Sequence, residues 1–189
     1  ITGKGRYTDD IVEANQAYAA FVRSPYAHAR IVSIDISAAM EMEGVETVLK
    51  GPELVADGIG NIICGWGVTS KDGSPMNMGA WSALATEKVR YVGDAVAIVV
   101  ADTKSLAKLA AESVVVTYEE LPVVVGSVQA LEIGAPQLHD NAPGNLIFDW
   151  EIGDLAPTDA ALAKAAHVTE LDITNNRLAP NPMEPRSAI

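Results

Sequence analysis

Seven consecutive residues, Ala95-Val96-Ala97-Ile98-Val99-Val100-Ala101, carry no polar side chain. A strand that faces water alternates apolar and polar residues. A strand with no polar position needs cover on both faces. The run therefore predicts a central strand, and the rest of the chain must supply a layer on each side of it. Gly93-Asp94 precedes the run, and Val89–Val92 lies before that pair. Two apolar runs separated by two such residues predict a hairpin with a primed turn and positive φ at Gly93. On the other side, Thr103 offers an N-cap hydroxyl to a helix striped with Leu106, Leu109 and Ala110. Val114–Tyr118 is the next strand, ended by Leu121-Pro122. Strand, helix and strand from Ala95 to Tyr118 predict a right-handed crossover unit.

The N-terminal third supplies further strands. Ala17–Val22 is small and apolar. Ile31–Ile36 alternates, which places Val32, Ile34 and Ile36 on one face and Ser33 and Asp35 on the other. Ser37 is positioned to cap a short helix through Met42, Gly44 to close it in a left-handed conformation, and Val45–Leu49 to return as a strand. Residues 51–82 hold no period of 2 or 3.6. Glycines punctuate them, with Trp66, Met76, Met78 and Trp81 between, and they read as one long loop. Loops of this length usually serve function or an interface. Large apolar side chains on such a segment either cover the domain's own sheet or bury against another domain or subunit, and the second reading leaves Trp66 or Trp81 exposed in the chain alone. From Ser127 to Gly144 the chain loosens, and a domain boundary is expected there. Asn145–Ile152 alternates as a strand, with Leu146, Phe148, Trp150 and Ile152 on one face. Pro157–Ala166 reads as a helix, and His167–Ile173 as a strand that pairs back.

Composition limits the function classes. The chain has 189 residues, long enough for a core without disulfides or metal. Its 13 Lys and Arg against 25 Asp and Glu give a net charge of −12. Such a surface repels phosphate backbones and anionic lipid, which argues against generic nucleic-acid binding. No apolar run approaches the ~20 residues that span a bilayer. With Cys64 the single cysteine, an internal disulfide framework and a cysteine-ligated zinc or iron–sulfur site are ruled out within these residues. A cytoplasmic location fits best, with the periplasm as the alternative. The chain opens on Ile1 and stops at Ile189 without a cap or polar tail, so a longer polypeptide is expected, with chemistry beyond Ile189.

Motifs for chemistry are scarce. His28, His139 and His167 lack metal-ligand spacing. Gly3-Lys4-Gly5 and Gly65-Trp66-Gly67 each begin a dinucleotide fingerprint and lack its last glycine. No Gly-x-Ser-x-Gly elbow or Walker A sequence occurs. Cys64 has no neighbour that would lower its pKa. Asp9-Asp10 reads as an acidic turn. Arg23, His28 and Arg30 form a small basic cluster, read as a solvated face or as an interface for an acidic partner. Glu184 and Arg186 follow Pro182 and either shape a site or turn the chain.

One ordered series of short motifs carries more. It comprises Gly3-Lys4-Gly5-Arg6-Tyr7-Thr8-Asp9-Asp10-Ile11, Phe21-Val22-Arg23-Ser24-Pro25-Tyr26-Ala27-His28-Ala29-Arg30-Ile31, Ser33-Ile34-Asp35 and Gly44-Val45. Next come Lys88-Val89-Arg90-Tyr91-Val92-Gly93-Asp94-Ala95-Val96-Ala97 and Tyr118-Glu119-Glu120-Leu121-Pro122. Gly134-Ala135-Pro136, Leu138-His139, Gly144-Asn145, Gly153-Asp154, Asn176-Arg177 and Pro182-Met183-Glu184-Pro185-Arg186 complete it. The series resembles the start of the molybdopterin-binding large subunit of the xanthine dehydrogenase/aldehyde oxidase family. Trp150-Glu151-Ile152-Gly153-Asp154 followed by Thr158-Asp159-Ala160 looks most like carbon monoxide dehydrogenase large chains.

The resemblance implies an α+β or α/β chain. Residues 1–128 would form an α/β hammerhead domain, 129–138 a linker, and 139–189 the first strand-helix-strand of a molybdopterin-binding domain. It implies part of a molybdenum hydroxylase, an oxidoreductase that takes its oxygen from water. A glutamate late in the subunit would act as general base. Electrons would leave through [2Fe–2S] clusters to FAD on iron–sulfur and flavin subunits, in complexes paired as dimers. One departure is at Met183-Glu184-Pro185-Arg186, where carbon monoxide dehydrogenases carry a Leu-Glu-Thr-Cys type sequence. It favours an aldehyde, purine or N-heterocycle over carbon monoxide. No catalytic residue and no metal ligand is expected in this chain. Met183, Glu184 and Arg186 are the candidates for approaching the cofactor. The alternative reading is a stand-alone, non-catalytic interaction module.

Overall fold

A computed structural model describes residues 2–79, 81–175, 178–179, 181–182, 184 and 187–188. The chain divides into two compact units, one of residues 15–150 and one of 1–14 with 151–189.

In the first unit the apolar run forms strand β5 (Ala95–Ala101), after β1 (Tyr18–Arg23), β2 (Ala29–Asp35), helix α1 (Ser37–Met40), β3 (Val45–Lys50), helix α2 (Gly51–Ala56) and β4 (Lys88–Val89). Helix α3 (Lys104–Ser113), β6 (Val115–Glu120) and a one-turn helix α4 (Ser127–Ala130) follow. Two antiparallel three-stranded sheets result, in the orders β1-β5-β3 and β4-β2-β6. β5 is the central strand of its sheet, with Phe21 opposite Ile98 on one side and Val48 opposite Val99 on the other. Its two faces enter two cores. Ala97 and Val99 pack with Ala39, Val48, Ala110 and Val114. Val96 packs with Ala29, Ala85 and Val89. Both faces are covered, as the absence of polar side chains requires.

The expected hairpin does not form. β4 pairs with β2, with Val89 opposite Ala29, rather than with β5. Gly93 does take positive φ, +93°. It sits in a turn closed by the Asp94 N–H on the Tyr91 carbonyl at 3.1 Å. That turn docks on Ser24 just past β1: the Gly93 N–H donates to the Ser24 carbonyl and the Ser24 N–H to the Asp94 carbonyl, both at 2.8 Å. The glycine thus serves a contact across 69 residues of sequence, which local turn chemistry cannot reveal. A Cβ at Gly93 meets no atom within 4 Å, so the cost of a side chain there is backbone strain alone. Gly93→Val is expected to lower stability by more than ~1 kcal/mol in a denaturant melt. An unchanged midpoint would show that the turn tolerates a side chain.

The crossover unit is also corrected. β5 and β6 lie in different sheets, so α3 bridges two sheets instead of crossing within one. Thr103 caps it as expected, its Oγ1 accepting the Leu106 N–H at 3.2 Å. Its buried face is Ala107 and Ala110, while Leu109 is exposed. Small alanines let the helix lie close on β1 and β5. In β2 a register shift between Ile31 and Ser33 turns Val32 out to solvent, while Ile34 and Ile36 pack inward. The simple alternation fails there because a bulge adds one residue. At α1, Ser37 is the first helical residue. The cap is supplied by the Asp35 carboxylate, which accepts the Ser37 N–H at 3.0 Å, and this bond holds the Asp35 pKa below the usual carboxylate value. The helix ends at Met40, earlier than expected, and Gly44 has φ +89° as expected.

Residues 51–82 open with α2, which the loop reading missed. Glu53 Oε2 accepts the Lys50 N–H at 2.8 Å, and Pro52 lies in the first turn. Beyond Ala56 the path is irregular, with isolated bridges at Asn61–Ser82 and Thr69–Pro75. Trp66 and Trp81 are 79% and 50% exposed, which agrees with the expectation for the chain alone. Asn145–Ile152 is not a strand. Asn145 ends a 3-10 turn, and residues 146–150 follow without regular secondary structure, with the Asn77 N–H on the Ile147 carbonyl and the Lys71 N–H on the Asp149 carbonyl.

In the second unit, a 3-10 turn spans Thr8–Asp10 and helix α5 spans Leu155–Lys164. The expected strand His167–Ile173 has no paired neighbour among the described residues and is exposed throughout. An alternating pattern becomes a strand only where another strand meets it.

Candidate functional site

The polar cluster that the fold assembles lies where the end of β4, the start of β5 and residues 81–85 meet the segment after α4. It surrounds a cavity of about 90 Å³ lined by Trp81, Ser82, Arg90, Tyr91, Asp94 and His139, among others. The Arg90 N–H donates to Asp94 Oδ2 at 3.1 Å, and Arg90 Nε donates to the Leu138 carbonyl at 2.9 Å. Lys88 Nζ pairs with Asp140 at 3.1 Å. That pairing holds the Asp140 carboxyl below its ordinary pKa. Trp81 stacks at a tilt on Tyr91 and on His139, with ring centroids 6.2 and 5.9 Å apart. Burial, with the Arg90 charge behind it, lowers the His139 pKa. Burial raises that of Tyr91, with Asp94 adding to the effect. Arg90, Asp94, Lys88 and Asp140 are paired with one another or with backbone, while the His139 Nδ1 is buried without a hydrogen-bond partner. No nucleophile lies beside a base, and among the described residues no three His, Cys, Asp or Glu side chains converge as a metal site.

Sequence reading did not find this cluster. Its members are spread from position 62 to position 139, and although Arg90, Tyr91, Asp94 and His139 lie in the ordered motifs quoted above, nothing in those motifs shows that they converge. The signal available was Arg90 and Asp94 flanking a glycine turn.

The structure separates the residues that sequence reading grouped. Arg23 Nη1 donates to the Gly93 carbonyl at 2.8 Å and lies over the Phe21 ring. Arg30 pairs with Glu119 at 3.3 Å on the surface. His28 is buried, its Nδ1 2.7 Å from the Pro122 carbonyl and its Nε2 without a partner. The three make no common basic face. Cys64 is exposed, with its Sγ 3.3 Å from the Trp66 carbonyl. Asp9 and Asp10 do form a turn, in which Asp10 Oδ2 accepts the Tyr7 N–H at 3.0 Å. His167 is exposed.

Of the three candidates near the end of the chain, Met183 and Arg186 lie outside the described residues. Glu184 is exposed, and its Oε1 accepts the Thr8 N–H at 3.4 Å. A lone surface carboxylate engaged with a backbone amide does not make a cradle for an anionic molybdopterin. The described residues therefore do not by themselves fit that cofactor, and no chemical step is assigned to them. Among them no helix is long and apolar enough to cross a membrane.

Residues 2–122 match the family described as aldehyde oxidase and xanthine dehydrogenase, a/b hammerhead domain. Residues 138–189 match the molybdopterin cofactor-binding domain. The carbon monoxide dehydrogenase large chain of Afipia carboxidovorans is 38% identical over 202 residues, covering 96% of this chain and 23% of that protein. The nicotine 6-hydroxylase large subunit of Paenarthrobacter nicotinovorans is 34% identical, covering 100% of this chain and 22% of that subunit. A crystal structure of the Cu,Mo-CO dehydrogenase in its carbon monoxide reduced state superposes with a TM-score of 0.70. It is 36% identical and covers 87% of this chain and 21% of its own. The chain thus spans just under a quarter of the length of the curated relatives it matches.

Proposed function

The chain belongs to the aldehyde oxidase and xanthine dehydrogenase family, and from that premise we propose that it is the hammerhead part of a molybdenum hydroxylase large subunit. On this reading residues 1–128 are the hammerhead domain, 129–138 the linker and 139–189 the opening of the cofactor domain. The two family matches, ending at 122 and beginning at 138, support those limits. The whole enzyme hydroxylates an aldehyde, a purine, an N-heterocycle or carbon monoxide with water as the oxygen source. Its molybdopterin is held mainly by other parts of the subunit, with [2Fe–2S] clusters and FAD on partner subunits. Met183, Glu184 and Arg186 are the residues of this stretch proposed to come nearest the cofactor. A cytoplasmic location is part of the proposal, supported by the single, exposed cysteine.

The observation that carries the reading is the joint match of the two domains in order. On this reading the segment contributes by packing. Ile63 and Trp66, 87% and 79% exposed on the irregular loop, are the side chains proposed to meet another part of the complex. The test is the complex encoded by the full reading frame, purified with its partner subunits. Stoichiometric molybdenum and dye reduction with an aldehyde, a purine, an N-heterocycle or carbon monoxide are expected, with oxygen from labelled water in the product. A complex without molybdenum and without turnover on all four would overturn the proposal.

A further inference from the structure

An edge strand left open invites another strand, and proteins blunt their edges with short length, charge, proline or bulges. Three of the outer strands here are guarded in this way. β4 is two residues long. β3 carries Glu46 and Lys50, with a register shift between Val45 and Thr47. β6 ends in Glu119 and Glu120. β1 is different. It is the outer strand of the order β1-β5-β3, and its sequence Tyr18-Ala19-Ala20-Phe21-Val22-Arg23 holds one charge, at its last residue. Arg23 is already engaged, over the Phe21 ring and on the Gly93 carbonyl. The register shift lies at the same end, between Val22 and Arg23. In an antiparallel ladder every second residue of an edge strand directs its N–H and C=O away from the sheet. Among the described residues of 15–150 no strand takes up those groups on β1.

An open groove of about 280 Å³ runs beside that edge. Ala20, Phe21, Val22 and Arg23 line it from β1, and Lys108, Ala111 and Glu112 from α3. Successive residues of a strand point to opposite faces, so four in a row mean that the groove follows the edge of the strand. On α3, Ala107 and Ala110 are buried, and the side with Lys108, Ala111 and Glu112 is turned along the edge. Lys108 and Glu112 are exposed, lie about one helical turn apart, and have no ion-pair partner among the described residues.

We propose that a second copy of this chain docks here, edge to edge on β1, so that the two β1-β5-β3 sheets join into one. The occupant follows from charge and symmetry. A two-fold axis normal to the joined sheet sets the two β1 strands antiparallel, keeps both α3 helices on one face and runs them antiparallel as well. Lys108 of each copy then faces Glu112 of the other, twice over, with Ala111 small enough between them to let the helices approach. A cation and an anion one turn apart on the same groove wall complement a second copy in this orientation by construction. Phe21, half exposed on the same strand, gains cover from the added strand. The interface stands on the geometry of these residues, apart from the pairing of whole complexes that the family resemblance implies. Its failure would leave the family assignment intact.

Sedimentation of the 189-residue chain over a concentration series tests the proposal. A dimer is expected, with a Kd on the order of 10 µM for so short an edge, and weaker at high salt. Lys108→Glu and Glu112→Lys should each weaken it about tenfold, because each turns two attractions into two repulsions. Both side chains are exposed, so neither change disturbs a core. Mixed together, the two variants should recover the wild-type affinity as a pair, since one copy then offers two carboxylates and the other two ammonium groups. That rescue acts between chains, and a helix effect within one chain cannot mimic it. A wild-type chain that stays monomeric up to ~1 mM overturns the proposal. So does a dimer that neither variant weakens, or a pair of variants that does not recover on mixing, since another surface would then hold the copies together.

Discussion

Gly51→Ala should lower the melting temperature by roughly 10 °C, a loss of about 3 kcal/mol for a chain of this size. Gly51 begins α2, is buried and has no unusual φ, so backbone conformation is not the issue. Space is. A Cβ at Gly51 would overlap the Ala85 carbonyl oxygen, and it would stand 2.9 Å from both the Ala85 carbonyl carbon and the Leu84 carbonyl oxygen. All three atoms are backbone, and that backbone is pinned. The Ala85 N–H donates to the Ala95 carbonyl at 2.7 Å, while Leu84 and Ala85 are 2% and 5% exposed. Retreat of residues 84–85 would pull on the start of the central strand, so the methyl cannot be absorbed by a side-chain rotation. Gly60→Ala is the matched control. No atom lies within 4 Å of its Cβ position and its φ is ordinary, so it should melt within about 2 °C of the wild type. Equal melting of the two variants would mean that α2 does not pack where the structure places it.

Val99→Asp should cost more still, about 4 kcal/mol at neutral pH. Val99 is fully buried on β5, in the core with Ala39, Val48, Ala110 and Val114. Its neighbours there are aliphatic, so a carboxylate would lose its water and gain no partner. The group would bind its proton more tightly folded than unfolded. The penalty would therefore shrink as pH falls toward the ordinary carboxylate value of ~4, where the unfolded chain is protonated too. Circular-dichroism melts at pH 7 and pH 5 check both the size and the sign. A variant that melts like the wild type at neutral pH would place Val99 outside a core.

Local physics was readable where one residue or one run decides the outcome. The polar-free run from Ala95 to Ala101 requires cover on two faces, and β5 has it. Thr103 needs only its own helix to act as a cap. The failures share a different cause. Whether Lys88–Val89 joins β5 or β2 depends on Arg30 and Ala29, 58 and 60 positions away from their partners. The bulge that turns Val32 outward exists only in the pairing with β6. The α2 signal was local after all: Pro52 in the first turn and a Glu53 carboxylate on the Lys50 N–H were visible in the sequence beneath the glycine pattern that follows. For the Asn145–Ile152 and His167–Ile173 alternations, the neighbours that would make them strands are not among the described residues.

The candidate cluster was illegible for the same reason. Arg90, Asp94, Trp81 and His139 converge through β4 pairing with β2 and through the return of the chain after α4, neither of which has a sequence signature. The family was legible because it rests on ordered motifs rather than on geometry, and the two domain matches confirm it.

The central claim is that these residues form a scaffolding domain whose chemistry is supplied elsewhere in a molybdenum hydroxylase. The direct test is the molybdenum content of the 189-residue chain, produced in cells that make the molybdopterin cofactor and assayed with an aldehyde and hypoxanthine by dye reduction. The account predicts a folded protein with molybdenum far below one atom per chain and no substrate-dependent reduction. Molybdenum at one atom per chain, or turnover with either substrate, would contradict it.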